Sequence, residues 1–193
     1  MIKRIICLAF LVLLSSAQFT RAKSTQQTET HRLTEVGKGI YLAQTTARLF
    51  NSNALVVIND EDVLVVDSHI TPTKGRELIS SISSLTSKPV TTLINSHFHF
   101  DHSHGNQAFT DERSPYSTGL EIIGHEFTRQ MMSDSPLEQG TFKRGLSGTK
   151  GAVERLGGQL KNSKDSSQRE KIQTQYDLMR SHLSEWDEIA PVA

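Results

Sequence analysis

The stretch NSHFHFDHSHGN, residues 95–106, is the part of the chain on which the other elements depend. It carries three histidines and one aspartate at the spacing H-x-H-x-D-H, as His97, His99, Asp101 and His102. Imidazole and carboxylate groups together suit a borderline divalent metal, and zinc is the metal that fits them best. The stretch therefore predicts a metal site.

The residues before this stretch predict how its side chains are arranged. Residues 90–94, VTTLI, are apolar and β-branched, which is typical of a buried strand. Alternate residues at a strand end share a face, so His97 and His99 should point one way and Phe98 and Phe100 the other way, into packing. The other two donors would approach the same pocket from the following loop. Such a set suits a two-metal site, in which paired ions hold an oxygen between them.

The motif, followed by Gly105 and Asn106, resembles the signature of the metallo-β-lactamase superfamily of hydrolases. The resemblance extends from about residue 37 to residue 128. Within it, two apolar runs, a helix and the motif strand follow one another in the order of the family's first half. It implies an α/β fold, the αββα metallo-β-lactamase-like sandwich, of which these 193 residues would form only the N-terminal half.

The resemblance also implies roles for single residues. His97, His99 and His102 would bind metal, and Asp101 would bind a second metal and orient the nucleophile or pass on its proton. Asp67 would be an acceptor that orients a metal-bound histidine, although turn chemistry also explains an aspartate after a strand. The implied cofactor is zinc, as two ions in the complete enzyme. Iron is the alternative, because histidine and aspartate ligands suit it too.

The function implied by the resemblance is zinc-dependent hydrolysis. A metal-bound hydroxide would attack the carbonyl of a small-molecule substrate such as a β-lactam, lactone or thioester. The alternative hypothesis is a catalytically incompetent fragment, a metal-binding remnant that acts as a non-enzymatic module. It arises because the family's third histidine, bridging aspartate and final histidine have no counterpart in this sequence. His182 lies in the expected region but in the middle of a predicted helix, so it is not predicted to be a ligand.

Residues 1–22 predict a secretory signal peptide. They combine a basic start, an apolar run over residues 5–14 and small residues that suit cleavage. The run is too short to span a bilayer, so we expect export to the periplasm or the medium and no stable membrane span after cleavage. The single cysteine, Cys7, lies in this segment, so the mature chain would have neither a disulfide nor a thiol ligand.

Composition limits the remaining possibilities. The chain has 21 basic and 21 acidic residues, and it lacks the basic blocks that nucleic-acid binding requires. A hydrophobic content of 36% is enough for one domain with a core. We therefore divide the chain into the signal peptide, a flexible leader over residues 23–36 and one metallo-β-lactamase-like domain over residues 37–193.

Several further elements are predicted from local patterns. Residues 54–58 and 63–66 indicate a hairpin, and Thr71 with Pro72 indicates the start of a helix that precedes the motif strand. A short helix around Phe109 and a strand over residues 121–125 should follow the motif. His69 is predicted to be a plain loop histidine, and His125 is a weak candidate for the pocket.

The C-terminal third is predicted to be a loop and two helices. Residues 136–148 are rich in glycine and serine and predict a mobile loop, and residues 153–160 predict a short or frayed helix. The last helix carries an apolar stripe at helical spacing, formed by Ile172, Tyr176, Met179, Leu183 and Trp186. The stripe should pack on its own domain. Self-association through the helix at 168–187 or through an uncovered sheet face is the alternative.

Overall fold

The computed structural model of the chain describes residues 25–27, 31–46, 51–133 and 141–186. The predicted signal peptide lies outside these residues. Within them no helix has both the length and the apolar character needed to cross a membrane. The described residues form a mixed α/β structure built on one seven-stranded sheet.

The strands follow one another across the sheet in chain order. They are β1 (Thr25–Gln27), β2 (His31–Gly37), β3 (Ile40–Thr45), β4 (Asn53–Ile58), β5 (Val63–Val66), β6 (Val90–Asn95) and β7 (Glu121–Gly124). The described helices are α1 (Pro72–Leu85), α2 (Phe100–Ser103), α3 (Asn106–Thr110), α4 (Glu126–Met132), α5 (Thr141–Asn162) and α6 (Ser166–Glu185).

The sheet changes from antiparallel to parallel pairing at its centre. Strands β1 to β5 form an antiparallel meander, and β4 and β5 pair as the predicted hairpin with Leu55 opposite Val66. Strands β5, β6 and β7 are parallel. Parallel neighbours need a crossover, which α1 supplies between β5 and β6, and α2 with α3 between β6 and β7. The carboxyl ends of β5 and β6 therefore meet at one edge.

Helix α1 begins where the sequence predicted. The Thr71 side chain accepts a hydrogen bond from the backbone amide of Lys74 at 3.2 Å, and Pro72 occupies the first helical position. The buried face of the helix includes Leu78 and Ile82, and it packs on the sheet. Phe109 of α3, which is fully buried, joins the same core beneath the motif.

The opposite face of the sheet is apolar and partly exposed. A row of side chains crosses five neighbouring strands in register, and it consists of Leu42, Leu55, Val66, Ile94 and Ile123. Ile123 is 43% exposed, and the other four are half-buried. The sequence predicted an uncovered sheet face, and self-association through it stays a prediction.

The structure differs from the predicted leader over residues 23–36. Residues 25–27 and 31–37 form β1 and β2; β1 pairs with β2, and β2 also pairs with β3. His31 and Leu33 alternate into the buried face, and Gly39 adopts a positive φ of 72° in the turn to β3. The polar composition did not indicate these strands, because β1 and β2 depend on pairing with neighbouring strands rather than on local propensity.

The C-terminal helices are longer than the sequence predicted. Helix α5 has 22 residues, so the prediction of a short or frayed helix was wrong, and the predicted loop is helical from Thr141 onward. Residues 134–140 of that loop lie outside the described residues. Leu156 and Leu160 of α5 are buried, and this tertiary packing offsets the low helix propensity of its glycines.

Helix α6 packs against α5 along its predicted stripe. The stripe residues within the helix are half-buried, and Trp186, which follows the helix, is 3% exposed. A Cβ at Gly157 would lie 3.4 Å from the Tyr176 ring, and the Trp186 ring lies directly against Gly145. The prediction that this stripe packs within its own domain is therefore confirmed.

Candidate metal centre

The candidate centre lies where β5 and β6 end. Asp67 follows β5, and the histidine motif follows β6. The Asp67 amide donates a hydrogen bond to the carbonyl of Ile94 at 2.8 Å, which aligns the two strand ends. In open α/β sheets the carboxyl ends of parallel strands are the usual place for a ligand.

The structure brings the four predicted donors together. The rings of His97 and His99 have centroids 4.6 Å apart, and those of His97 and His102 are 4.2 Å apart. The Nε2 atom of His102 lies 3.4 Å from Oδ2 of Asp101. Asp101 and His102 sit on the one-turn helix α2 rather than on an open loop. The spacing H-x-H-x-D-H thus forms one local cluster.

Asp67, at the end of β5, makes hydrogen bonds that orient this cluster. Its Oδ1 accepts a hydrogen bond from the Ser96 amide at 2.8 Å, and its Oδ2 accepts one from the Ser96 hydroxyl at 2.7 Å. Oδ2 also lies 2.8 Å from Nδ1 of His102. This contact is the one that the predicted orienting role requires, since it leaves Nε2 of His102 directed to the other donors. Asp67 as a whole is 6% exposed, and its backbone φ of 64° lies in the left-handed region.

The donor types fit zinc, which favours imidazole and carboxylate ligands. Burial lowers the pKa of His97, and the neighbouring His102 and His99 lower it further. A neutral imidazole keeps the lone pair that a metal needs. In the described residues, no group of three histidine, cysteine, aspartate or glutamate side chains already converges on one ion position.

The phenylalanines between the histidines do not enter the core. The Phe98 ring packs edge-on against Phe127 at 5.7 Å and against His99 at 4.9 Å. Phe98 and Phe100 are half-buried and line a cavity beside the motif. The prediction that both phenylalanines point away from the histidines was wrong, since Phe98 and Phe100 line the same cavity as His99. The reason is that β6 ends at Asn95 and strand alternation does not continue through the motif.

His69 is a buried structural residue rather than a plain loop histidine. It is fully buried, its Nδ1 lies 2.8 Å from the Ser52 hydroxyl, and its ring lies 4.8 Å from that of His31. Burial lowers the pKa of His69 to about 3, so the ring is neutral near pH 7. The interpretation as a loop histidine was wrong, because the local sequence does not show that β2 covers it.

The other histidines have structural contacts. His104 is buried and meets the Trp186 ring edge-on at 4.9 Å, and burial lowers its pKa to about 3. His125 is exposed, and its Nδ1 accepts a hydrogen bond from the Phe127 amide at 3.1 Å as the cap of α4. His182 lies beside the same tryptophan, with ring centroids 5.9 Å apart.

Sequence reasoning missed a buried amide and hydroxyl network that fastens the motif. Asn106 is 1% exposed, and its amide donates to the side-chain oxygen of Asn95 at 2.8 Å. The Ser68 hydroxyl donates to Oδ1 of Asn106 at 2.7 Å. The network joins the ends of β5 and β6 to the segment after the motif. The glycine and asparagine that end the motif were the signal that could have found it.

Comparisons with known proteins found one matching family and several similar solved structures. The model of the metallo-beta-lactamase superfamily matches residues 47–166. A metallo-beta-lactamase structure from Erythrobacter litoralis is 18% identical, with 56% of this chain and 47% of that chain covered at a TM-score of 0.48. The mono-zinc form of FIM-1 from Pseudomonas aeruginosa is 17% identical, with 53% and 45% covered at a TM-score of 0.46. A third, from Hirschia baltica, is 16% identical, with 61% and 49% covered at 0.46. The chain spans about half the length of these solved structures.

Proposed function

We propose a metal-dependent hydrolase function for this chain, which belongs to the metallo-β-lactamase superfamily. The family match over residues 47–166 includes Asp67 and the whole histidine motif. Membership suggests a metallo-hydrolase. The observation that carries the proposal is the cluster of His97, His99 and His102, with Asp67 hydrogen-bonded to the third ring.

In this proposal the metal ligands are His97, His99, His102 and Asp101. Zinc, when bound, would supply Lewis acidity that activates water and polarises a substrate carbonyl. The imidazoles contribute neutral nitrogen donors, and the lowered pKa of His97 favours that form. The carboxylate of Asp101, which lies against His102 and is partly exposed, can orient the attacking water and accept its proton.

The proposed substrate class is an activated carbonyl compound. The proposed reaction is hydrolysis of an activated carbonyl such as a β-lactam, a lactone or a thioester. The signal-like segment at residues 1–22 supports export and therefore a substrate outside the cytoplasm. A non-enzymatic metal-binding module and an iron-dependent enzyme are the two rival hypotheses, and metal analysis with activity assays separates all three.

Metal dependence provides the direct test of this function. The purified chain is titrated with zinc by calorimetry, its native metal is measured by mass spectrometry, and it is assayed on a cephalosporin, an acyl lactone and an acyl thioester. We expect zinc binding and hydrolysis of one of these classes, with activity lost on chelation and restored by zinc. Zinc binding without hydrolysis would favour the non-enzymatic module, and native iron would favour the iron-dependent enzyme. Absence of any metal binding would contradict the proposal.

Asp67→Asn should weaken zinc binding by about 10- to 100-fold, the usual cost of removing a group that orients a metal-bound histidine. Asparagine tolerates the positive φ of this position, so the change removes the carboxylate charge without new backbone strain. Asp62→Asn is the matched control, because Asp62 lies at the other end of β5 and bonds Thr91 and Asn59 instead. Equal zinc affinity in both variants would refute the orienting role.

A further inference from the structure

Helix α5 presents a basic face to the solvent. The helix carries five basic residues and one acidic residue, whereas the whole chain has 21 of each. The five basic side chains are all exposed, and they are Lys143, Arg144, Lys150, Arg155 and Lys161. At 3.6 residues per turn they form one row of lysines and one row of arginines, on the side of the helix opposite the buried Leu156 and Leu160. These five residues form the basic face.

Neighbouring acids do not neutralise the basic face. Within the described ranges none of its five cations takes part in an ion pair, whereas Lys74, Arg113 and Arg129 elsewhere each pair with a nearby carboxylate. Glu154 is the one acidic residue of the helix, and it is exposed. Like charges along one helix repel one another, so the approach of an anionic partner relieves this repulsion.

Small residues separate the two rows of cations. By the helical period, Ser147, Gly151 and Gly158 lie between the rows. A Cβ added at Gly151 or Gly158 would meet no atom within 4 Å, so packing does not require glycine at either position, and glycine disfavours a helix. The surface between the rows is therefore low, and the long cationic side chains on both sides can reach one flat surface together.

The arginine row leads into an open groove of about 800 Å³ where α5 is followed by α6. Nitrogen donors line much of this groove, and they belong to Arg155, Gln159, Asn162, Lys164 and Gln168. Asp165 also lines it, but its carboxylate accepts a hydrogen bond from the Gln168 amide at 2.7 Å as the N-cap of α6. Guanidinium and ammonium groups with amide donors beside them suit a phosphate group.

Anionic phospholipid is the polyanion that suits this face best. A planar array of phosphate groups can meet both rows of cations at once, over roughly 27 Å of helix. Residues 143–161 contain no aromatic residue, and single-stranded nucleic acids are bound largely by stacking on aromatic side chains. The signal-like segment at residues 1–22 supports export to a compartment in which lipid, rather than nucleic acid, is the abundant anion.

We infer that the basic face binds a membrane surface rich in anionic phospholipid, with a headgroup phosphate in the groove. The attraction is electrostatic, because the apolar side of α5 packs against α6 and is not offered to the bilayer. Arg144 also lines the cavity beside His99, so binding through this face keeps the candidate metal centre close to the membrane. Neither the charge nor the groove depends on the proposed hydrolase function.

Vesicle binding by the full chain tests this surface. Cosedimentation compares vesicles of phosphatidylcholine alone with vesicles of phosphatidylcholine and phosphatidylglycerol. We expect at least tenfold tighter binding to the anionic vesicles, because each cation near such a surface raises the affinity about fivefold. Added salt should weaken the binding, since it screens exposed charges.

Lys150→Gln combined with Arg155→Gln removes one cation from each row and should weaken binding to the anionic vesicles about 25-fold. The matched control is Arg32→Gln combined with Lys38→Gln, which removes the same charge from exposed positions in β2 and the turn after it. The control should bind like the natural chain. The apolar run at residues 5–14 is the same in all three proteins and therefore does not contribute to the difference. Circular dichroism checks that each variant is folded.

Equal affinity for the two kinds of vesicle, or equal losses in the two double variants, would overturn the proposed surface. Tighter binding to duplex DNA than to the anionic vesicles at the same salt concentration would assign the basic face to nucleic acid instead. Displacement from the vesicles by inorganic phosphate at constant ionic strength would show a site for free anions rather than for lipid. A chain that binds anionic vesicles but hydrolyses no substrate would refute the proposed function and leave this surface standing.

Discussion

His97→Ala is expected to lower zinc affinity by about a hundred- to a thousandfold and to abolish hydrolysis. Structural zinc sites with four protein ligands bind with about 10–16 kcal/mol, so one ligand accounts for roughly 2.5–4 kcal/mol. His97 has a central place in the cluster, because its ring lies close to both His99 and His102. Calorimetric titration with zinc and hydrolysis assays at saturating zinc measure the two effects.

His125→Ala is the control for this variant. His125 is exposed and caps α4 outside the cluster, so its loss should leave zinc affinity unchanged. Thermal unfolding of both metal-free variants shows whether the fold survives. Natural zinc affinity in a folded His97→Ala protein would refute the ligand assignment.

Gly105→Ala is expected to destabilise the fold by more than about 3 kcal/mol, which is a large part of the stability of a typical domain. A Cβ at this position would overlap the carbonyl oxygen of Ser68 and lie 2.7 Å from its carbonyl carbon. The obstacle is backbone and cannot move as a side chain does. Hydrogen bonds from the Gly105 amide to the His69 carbonyl at 3.0 Å and from the Ser68 amide to the His102 carbonyl at 2.8 Å hold both segments.

Urea unfolding measures this effect, with Gly158→Ala as the control. The added methyl group at Gly158 would meet no atom within 4 Å, and alanine has the higher helix propensity. That variant should be unchanged or about 0.5–1 kcal/mol more stable. If Gly105→Ala unfolds at the same urea concentration as the natural chain, the segment after the motif does not have the close packing described above.

The elements that could be predicted have a local signal. The hairpin of β4 and β5 follows from two apolar runs with a polar turn between them. Helix α1 begins at Pro72, with Thr71 as its N-cap, and both residue types are typical of a helix start. The strand β6 is recognised from its β-branched run. In each case the residues that specify the element lie within it or beside it.

The elements that were missed depend on distant partners. Strand β2 is stable because it pairs with β3, and α5 extends to 22 residues because α6 and Trp186 pack against it. His69 is buried because other elements cover it. The local sequence of these polar or glycine-rich segments does not indicate their structure, since the stabilising contacts come from elsewhere in the chain.

By itself, the sequence determined which side chains form the histidine cluster. The spacing H-x-H-x-D-H brings His97, His99, Asp101 and His102 together, because they are near neighbours along the chain. Only the tertiary structure decided what lies around them. Asp67 reaches His102 from 35 positions away because β5 and β6 are parallel and end at the same edge. The cavity beside His99 exists because α5 and α6 pack next to the motif, a contact between segments that no local pattern specifies.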